Sequence, residues 1–278
     1  MMKGMIKYML KAIVSLDTRS INGLTDSLQG HTAQAYKVVT NLHSTAVLPV
    51  STVVISIILV LELARNATHM EGDHQMGVKI IAATMFKSAL LVVAAQNSMM
   101  FLNAINEIST KIIAGISKTN NKIYKPDELP DRVNKLIEDA GTVDQAGLVM
   151  MLLLPFIISI AAQVVIQVMV IIRFAELYIM TAFASLPIAF LGHPDTKSMG
   201  ISYLQKYAAV SLQGATLMMA VALYSEFINF SGKFASIGKN QSLNDWMFTN
   251  YAQFVICPVL LMILILSSGK LAKAIVGQ

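Results

Sequence analysis

Apolar runs long enough to cross a bilayer alternate with short polar stretches along most of this chain. The longest lies between Gly147 and Leu191, about 45 residues broken only by Arg173 and Glu176. A bilayer core takes about 20 apolar residues per helical span, so this stretch has length for two crossings. The pattern predicts six spans, roughly 44–64, 77–100, 147–172, 177–191, 207–228 and 251–269. The weak point is the turn between the third and fourth. Ile171 to Glu176 contains no Gly, Pro, Asn or Asp, the residues that tight turns use. The alternative is a single helix of about 68 Å at 1.5 Å per residue, bent at Pro155, which leaves five spans and reverses everything after Leu191.

The polar stretches have patterns of their own. Lys3, Lys7 and Lys11 recur every four residues, while Met2, Ile6, Met9, Leu10 and Ile13 fill the opposite side. This is an amphipathic helix, suited to a membrane surface or to the face of a partner protein. Residues 17–43 read as a short helix and a connection. After the second span the helix is expected to continue, since Phe101, Ile105, Ile108, Ile112 and Ile116 recur at steps of three and four, with Glu107 and Lys111 spaced to pair. Residues 117–145 form the only sizeable soluble insertion. Within it Pro130 can open a short helix through Val133, Leu136 and Ile137 that closes at Gly141. Four regions follow: an amphipathic N-terminal region (1–43), a transmembrane helical pair (44–100), a soluble helical insertion (101–146) and a C-terminal transmembrane region (147–278).

Composition agrees with the pattern. The chain is 55% hydrophobic and 13% charged, with a mean hydropathy of +0.62. Soluble domains are nearer a quarter charged. The fold class is therefore all-α, a polytopic helical membrane protein. The net charge of +5 first suggests Lys- and Arg-rich cytoplasmic loops. With an inward N-terminus and six spans, the inner segments 1–43, 101–146, 192–206 and the C-terminal tail hold five, six, two and two Lys and Arg. The outer segments 65–79 and 229–250 hold two each. That count places both termini in the cytoplasm. Lys7 and Lys11 interrupt what would be the apolar core of a signal peptide.

Recognisable chemical motifs are scarce along the chain. Gly115-Ile116-Ser117-Lys118-Thr119 lacks the first glycine and the Gly-Lys step of a phosphate-binding loop. No zinc-protease motif or nucleophile elbow occurs, and no internal repeat suggests an inverted-repeat transporter. The lone cysteine, Cys257, lies in an apolar run and reads as a small buried hydrophobe. The 18 methionines read as adaptable packing. His69, Glu71, Asp73 and His74 share one loop, but their spacing matches no established metal site. No catalytic, cofactor or metal residues are assigned. What remains is a set of polar residues inside the spans. Arg173 and Glu176, three apart, can pair on one helix face. Lys87 can pair with Glu62 or extend toward the interface. Gln163, Gln167 and Gln213 suit bonds to neighbouring helices. All six, Lys87, Gln163, Gln167, Arg173, Glu176 and Gln213, are candidates for helix contacts or for the wall of a polar lumen.

The stretch from Arg173 to Leu217 carries a resemblance. Arg173 and Glu176, the segment Ala184-Ser185-Leu186-Pro187 and the block YLQKYAAVSLQGA from Tyr203 to Ala215 resemble the TrbL-like, VirB-type family of conjugal transfer proteins. These are polytopic inner-membrane subunits of type IV secretion systems. Length and layout are similar to the compact versions on mobile elements of Gram-positive bacteria. The resemblance implies a non-enzymatic subunit, without cofactors, of a homo-oligomeric channel in the bacterial cytoplasmic membrane. Its partners would be a conjugation ATPase, a coupling protein, further secretion subunits, membrane lipids and relaxase-bound DNA in transit. Family members are described with five spans and an outward N-terminus, against the six and inward of the charge count. Two other functions are consistent with the residues: a stand-alone small-solute transporter or channel, and a non-transporting scaffold that anchors a partner through 101–145.

Overall fold

In the computed structural model, residues 1–14, 23–68, 74–119, 129, 131–227, 237–238 and 241–278 are described. Among them there is helix and no strand. The helices are α1 (Met2–Val14), α2 (Leu28–His31), α3 (Ala33–Leu42), α4 (Leu48–Thr68), α5 (His74–Gln96), α6 (Ser98–Thr119), α7 (Asp131–Asp139), α8 (Thr142–Ala182), α9 (Ser185–Phe190), α10 (Lys197–Phe227) and α11 (Leu243–Val276). Five helical segments are long and apolar enough to cross a membrane: Ala33–Ala67, Gly77–Gln96, Thr142–Ala182, Lys197–Tyr224 and Leu243–Val276.

The expected hairpin at Ile171–Glu176 does not form. α8 runs unbroken through it for 41 residues with Pro155 inside, so spans three and four are one helix and the described residues hold five candidate spans. The reason is local: Ile171, Ile172, Phe174 and Ala175 give the backbone no means of reversing, and the reversal waits for Ala182–Leu191. Five crossings would put the two termini on opposite sides, against the cytoplasmic pair that six spans implied. Span one also begins earlier than expected. α3 joins α4 through a π-type segment, His43–Val47, in which the Leu48 N–H bonds to the His43 carbonyl.

Large apolar side chains cover the outside of these helices. Val53, Ile57 and Val60 on α4, Phe86 and Leu90 on α5, and Met150, Ile157 and Ile171 on α8 are all exposed. Water would not tolerate so much apolar surface, whereas lipid tails would cover it. The helical backbone meets the other requirement of that solvent by satisfying its own polar groups.

The chain divides into two compact units. The first comprises Met1–Thr25, Lys111–Ile172 and Gly214–Leu271. Here α1 turns Ile6, Met9, Leu10 and Ile13 inward, all buried, so its apolar face is met by the protein's own helices. Tyr8 lies edge-on to Phe156 of α8, with ring centroids 5.8 Å apart. Lys7 Nζ lies 2.9 Å from Glu138 Oε1, and Lys3 Nζ donates to the Glu138 carbonyl at 2.7 Å, tying α1 to α7. The Lys7 hydrogen bond and charge hold the Glu138 carboxyl below its ordinary 4.5. That contribution is present above the ordinary carboxylate range and is lost as pH falls through the depressed value. α7 forms as expected, burying Val133 and Ile137, while Pro130 lies outside the described residues. α10 and α11 are linked by Thr216 Oγ1, which donates to the Ser268 carbonyl at 3.0 Å.

The second unit comprises Asp26–Thr110, Arg173–Gln213 and Ala272–Gln278. Its frame is the α4/α5 pair, along which α9 lies; Ile55, Ala95, Ile188 and Ala189 form a common buried cluster. Two glycines permit the close approach. A Cβ on Gly200 would meet the Pro187 carbonyl oxygen at 2.5 Å, and one on Gly192 would meet Leu91 and Ile58 at 2.8 and 2.9 Å.

Candidate functional site

The second unit holds a polar core inside an apolar frame. At its centre is Arg173, 1% exposed. Its Nε donates to the Val210 carbonyl at 3.3 Å and its Nη2 to the Ser211 carbonyl at 3.1 Å. The Ser211 carbonyl also accepts from Ser109 Oγ, and Ser211 Oγ donates to Asn106 Oδ1 at 3.1 Å. Phe174 offers its ring face to the guanidinium, whose central carbon lies 5.1 Å from the ring centroid. Arg173 Nη1 is buried with no hydrogen-bond partner. The arrangement places α6, α8 and α10 side by side, each contributing residues at helical spacing.

The expected Arg173–Glu176 pair is absent. Arg173 faces the interior and Glu176 the exterior of α8, and no ion pair joins them. Three residues of α-helix rotate the side chain by about 60° from eclipse, and here that angle divides buried from exposed.

A turn further along, Tyr207 and Tyr203 continue the seam between α10 and α8. Thr181 Oγ1 donates to the Leu177 carbonyl at 2.7 Å, which leaves it to accept from Tyr207 Oη at 3.4 Å. Tyr203 Oη donates to the Met180 carbonyl. Tyr178 Oη donates to the Leu28 carbonyl at 2.7 Å, and His31 stacks on Phe174 with centroids 3.8 Å apart, fixing α2 to α8. His43, in the π-type segment, bridges two more helices. Its Nδ1 donates to the Ala182 carbonyl at 3.1 Å, which leaves Nε2 to accept from Ser98 Oγ at 3.3 Å. The looser backbone of such a segment frequently accompanies a functional position.

A second group of charges lies further along α4 and α5. Lys87 Nζ lies 3.8 Å from Glu62 Oε1, and the Lys87 side chain is 48% exposed. His193, in the turn after α9, approaches the other oxygen, with Nε2 3.8 Å from Glu62 Oε2.

The amides fall in different surroundings. Gln163 Nε2 donates to the Ala12 carbonyl at 3.1 Å, joining α8 to α1. Gln167 is exposed on α8, and Gln213 is buried in α10. The six candidates therefore do not converge on one place. Arg173 centres a network and Lys87 joins a charge group, while Gln163 serves α1. The residues that build the network with Arg173, namely Asn106, Ser109, Thr181, Tyr207 and Ser211, were not singled out from sequence. Their signal is faint: hydroxyl and amide side chains at core-facing positions of otherwise apolar helices. Nor was His193 among the candidates. Of the loop cluster His69, Glu71, Asp73 and His74, the first three lie outside the described residues, as does the His74 side chain. Among the described residues no group of three His, Cys, Asp or Glu could hold a metal ion.

Five long apolar helices, an apolar exterior and an internal polar core define a multi-pass helical membrane protein. Residues 20–185 match the family described as TrbL/VirB6 plasmid conjugal transfer like protein. That is well over half of the sequence, and the chain belongs to this family of type IV secretion subunits. The matched region meets the resembling stretch 173–217 only at its start, so the family is carried mainly by α3 to α8. Comparison with curated proteins and with solved structures gives no match.

Proposed function

We propose that the chain is a channel or scaffold subunit of a conjugation machine, resident in the bacterial cytoplasmic membrane, that helps relaxase-bound DNA cross it. The observation that carries this reading is the family match over 20–185, which covers three of the five long apolar segments. In this role the chain is not an enzyme. Energy comes from a separate conjugation ATPase, and a coupling protein delivers the substrate. A homo-oligomer supplies the walls. The polar seam around Arg173 supports the reading, because buried intramembrane polar residues mark substrate pathways or helix contacts by default.

Deleting the gene tests the proposal. Transfer is expected to be lost and restored by the gene in trans, with relaxase nicking at the transfer origin intact. Normal transfer from the deletion strain contradicts it. Solute flux through vesicles containing this protein alone would instead favour the stand-alone transporter.

A further inference from the structure

The turn at 191–196 brings four ionisable groups from three elements together. Gly192 seats the turn against Ile58 of α4 and Leu91 of α5, and the next residue, His193, points its ring at Glu62. The Glu62 carboxylate is only 15% exposed and stands between Lys87 at 3.8 Å and His193 Nε2 at 3.8 Å. On the other edge of the ring, His193 Nδ1 lies 3.6 Å from Asp195 Oδ2, and Asp195 is 81% exposed. Glu62 Oε2 is buried with no hydrogen bond. It is an acceptor with a nitrogen beside it but beyond bonding reach.

We propose that His193 is a proton-operated latch: as imidazolium it bridges Glu62 and Asp195 and fastens the 183–196 segment to the α4/α5 pair, and loss of the proton leaves only an uncharged contact with Glu62 and loosens that segment. The geometry holds both states. With the ring neutral, Nδ1 accepts the Asp195 backbone N–H at 3.3 Å. That neutral ring carries its hydrogen on Nε2, facing Glu62 at 3.8 Å; the added proton goes to Nδ1, which turns to the Asp195 carboxylate, and its charge draws Nε2 in on Glu62. Charge favours the same direction. Lys87, Glu62 and Asp195 sum to one net negative charge, which the imidazolium cancels. Lys87 repels the imidazolium, but it approaches the opposite carboxylate oxygen. Along the elements that meet here, the next charges are Arg65 on α4, a turn beyond Glu62, and Lys197 at the head of α10; α9 contributes none. Imidazole is the side chain whose ordinary range places this change near neutral pH.

The latch goes beyond the conjugation role and does not require it, so its test uses the purified full chain in detergent. Spin labels at Leu61→Cys and Ser198→Cys, both exposed sites, in a Cys257→Ala background report the distance between α4 and the start of α10. At about pH 5.5 pulsed electron resonance is expected to give one narrow distance, and at about pH 8 a longer and broader distribution, the two values bracketing the ordinary imidazole range. His193→Gln and, separately, Glu62→Gln are each expected to remove the pH response. No pH response in the parent, or a response that survives either substitution, overturns the latch.

Discussion

Arg173 makes its two backbone contacts with carbonyls that α10 already uses in its own ladder. Removing the side chain therefore strands no acceptor, and Ser109 keeps its bond to Ser211. The guanidinium itself is buried without a carboxylate among the described residues, and one of its nitrogens is unsatisfied. Replacing buried charge with an apolar side chain of similar volume is often neutral or stabilising by about 1–4 kcal/mol. Arg173→Met is accordingly expected to leave thermal stability in detergent unchanged or raised, and to lower conjugal transfer at least tenfold. Glu176→Gln, on the exposed side of α8, should alter neither. A melting temperature that collapses in Arg173→Met would make the arginine a structural prop. The sequence exposed Arg173 at once, because a charge in an apolar run stands out. It could not reveal the company Arg173 keeps, since serine, threonine and tyrosine in membrane helices are common and Ser109 and Ser211 are far apart in the chain.

Among the elements, α8 shows where hydropathy reading stops. Composition distinguishes apolar from polar but cannot say whether an apolar run is one long helix or two short ones. The missing turn residues at 171–176 were the better guide, and α8 continues through them. α1 shows a similar limit. Its lysine and apolar faces were legible, but what covers the apolar face depends on α8, which supplies Phe156 and Gln163. α9 and the head of α10 depend on glycine for their approach. Gly200→Ala puts a Cβ 2.5 Å from the Pro187 carbonyl oxygen and 2.6 Å from Leu191, and overpacking of this kind costs about 1–3 kcal/mol. Gly147→Ala in α8, where a Cβ meets nothing within 4 Å, should instead gain roughly 0.5–1 kcal/mol from helix propensity. Thermal melts of the two variants are expected to move in opposite directions; a shared direction would mean that the Gly200 contact yields.

For the whole molecule, five crossings redistribute the loop charges. Segments 1–43, 101–146 and 229–250, with five, six and two Lys and Arg, fall on one side, and 65–79, 192–206 and the C-terminal tail, with two each, on the other. The positive-inside rule then predicts a cytoplasmic N-terminus and an external C-terminus. Reporter fusions read this directly: a periplasm- or surface-active reporter should work at the C-terminus and fail at the N-terminus. Equal activity at both ends would restore an even number of crossings. Fold class and family were legible from the chain because long apolar runs and their order survive without contacts. Span count and the make-up of the polar core were not, because each depends on which distant residues meet. The central claim is that this subunit forms part of the path that DNA takes. Photocrosslinking during transfer tests it most directly, with a crosslinking amino acid placed at Lys87 and, as a lipid-facing control, at Ile157. Transfer-dependent adducts with the moving strand are expected from position 87 and none from 157. No adduct from position 87, in cells that transfer normally, would contradict it.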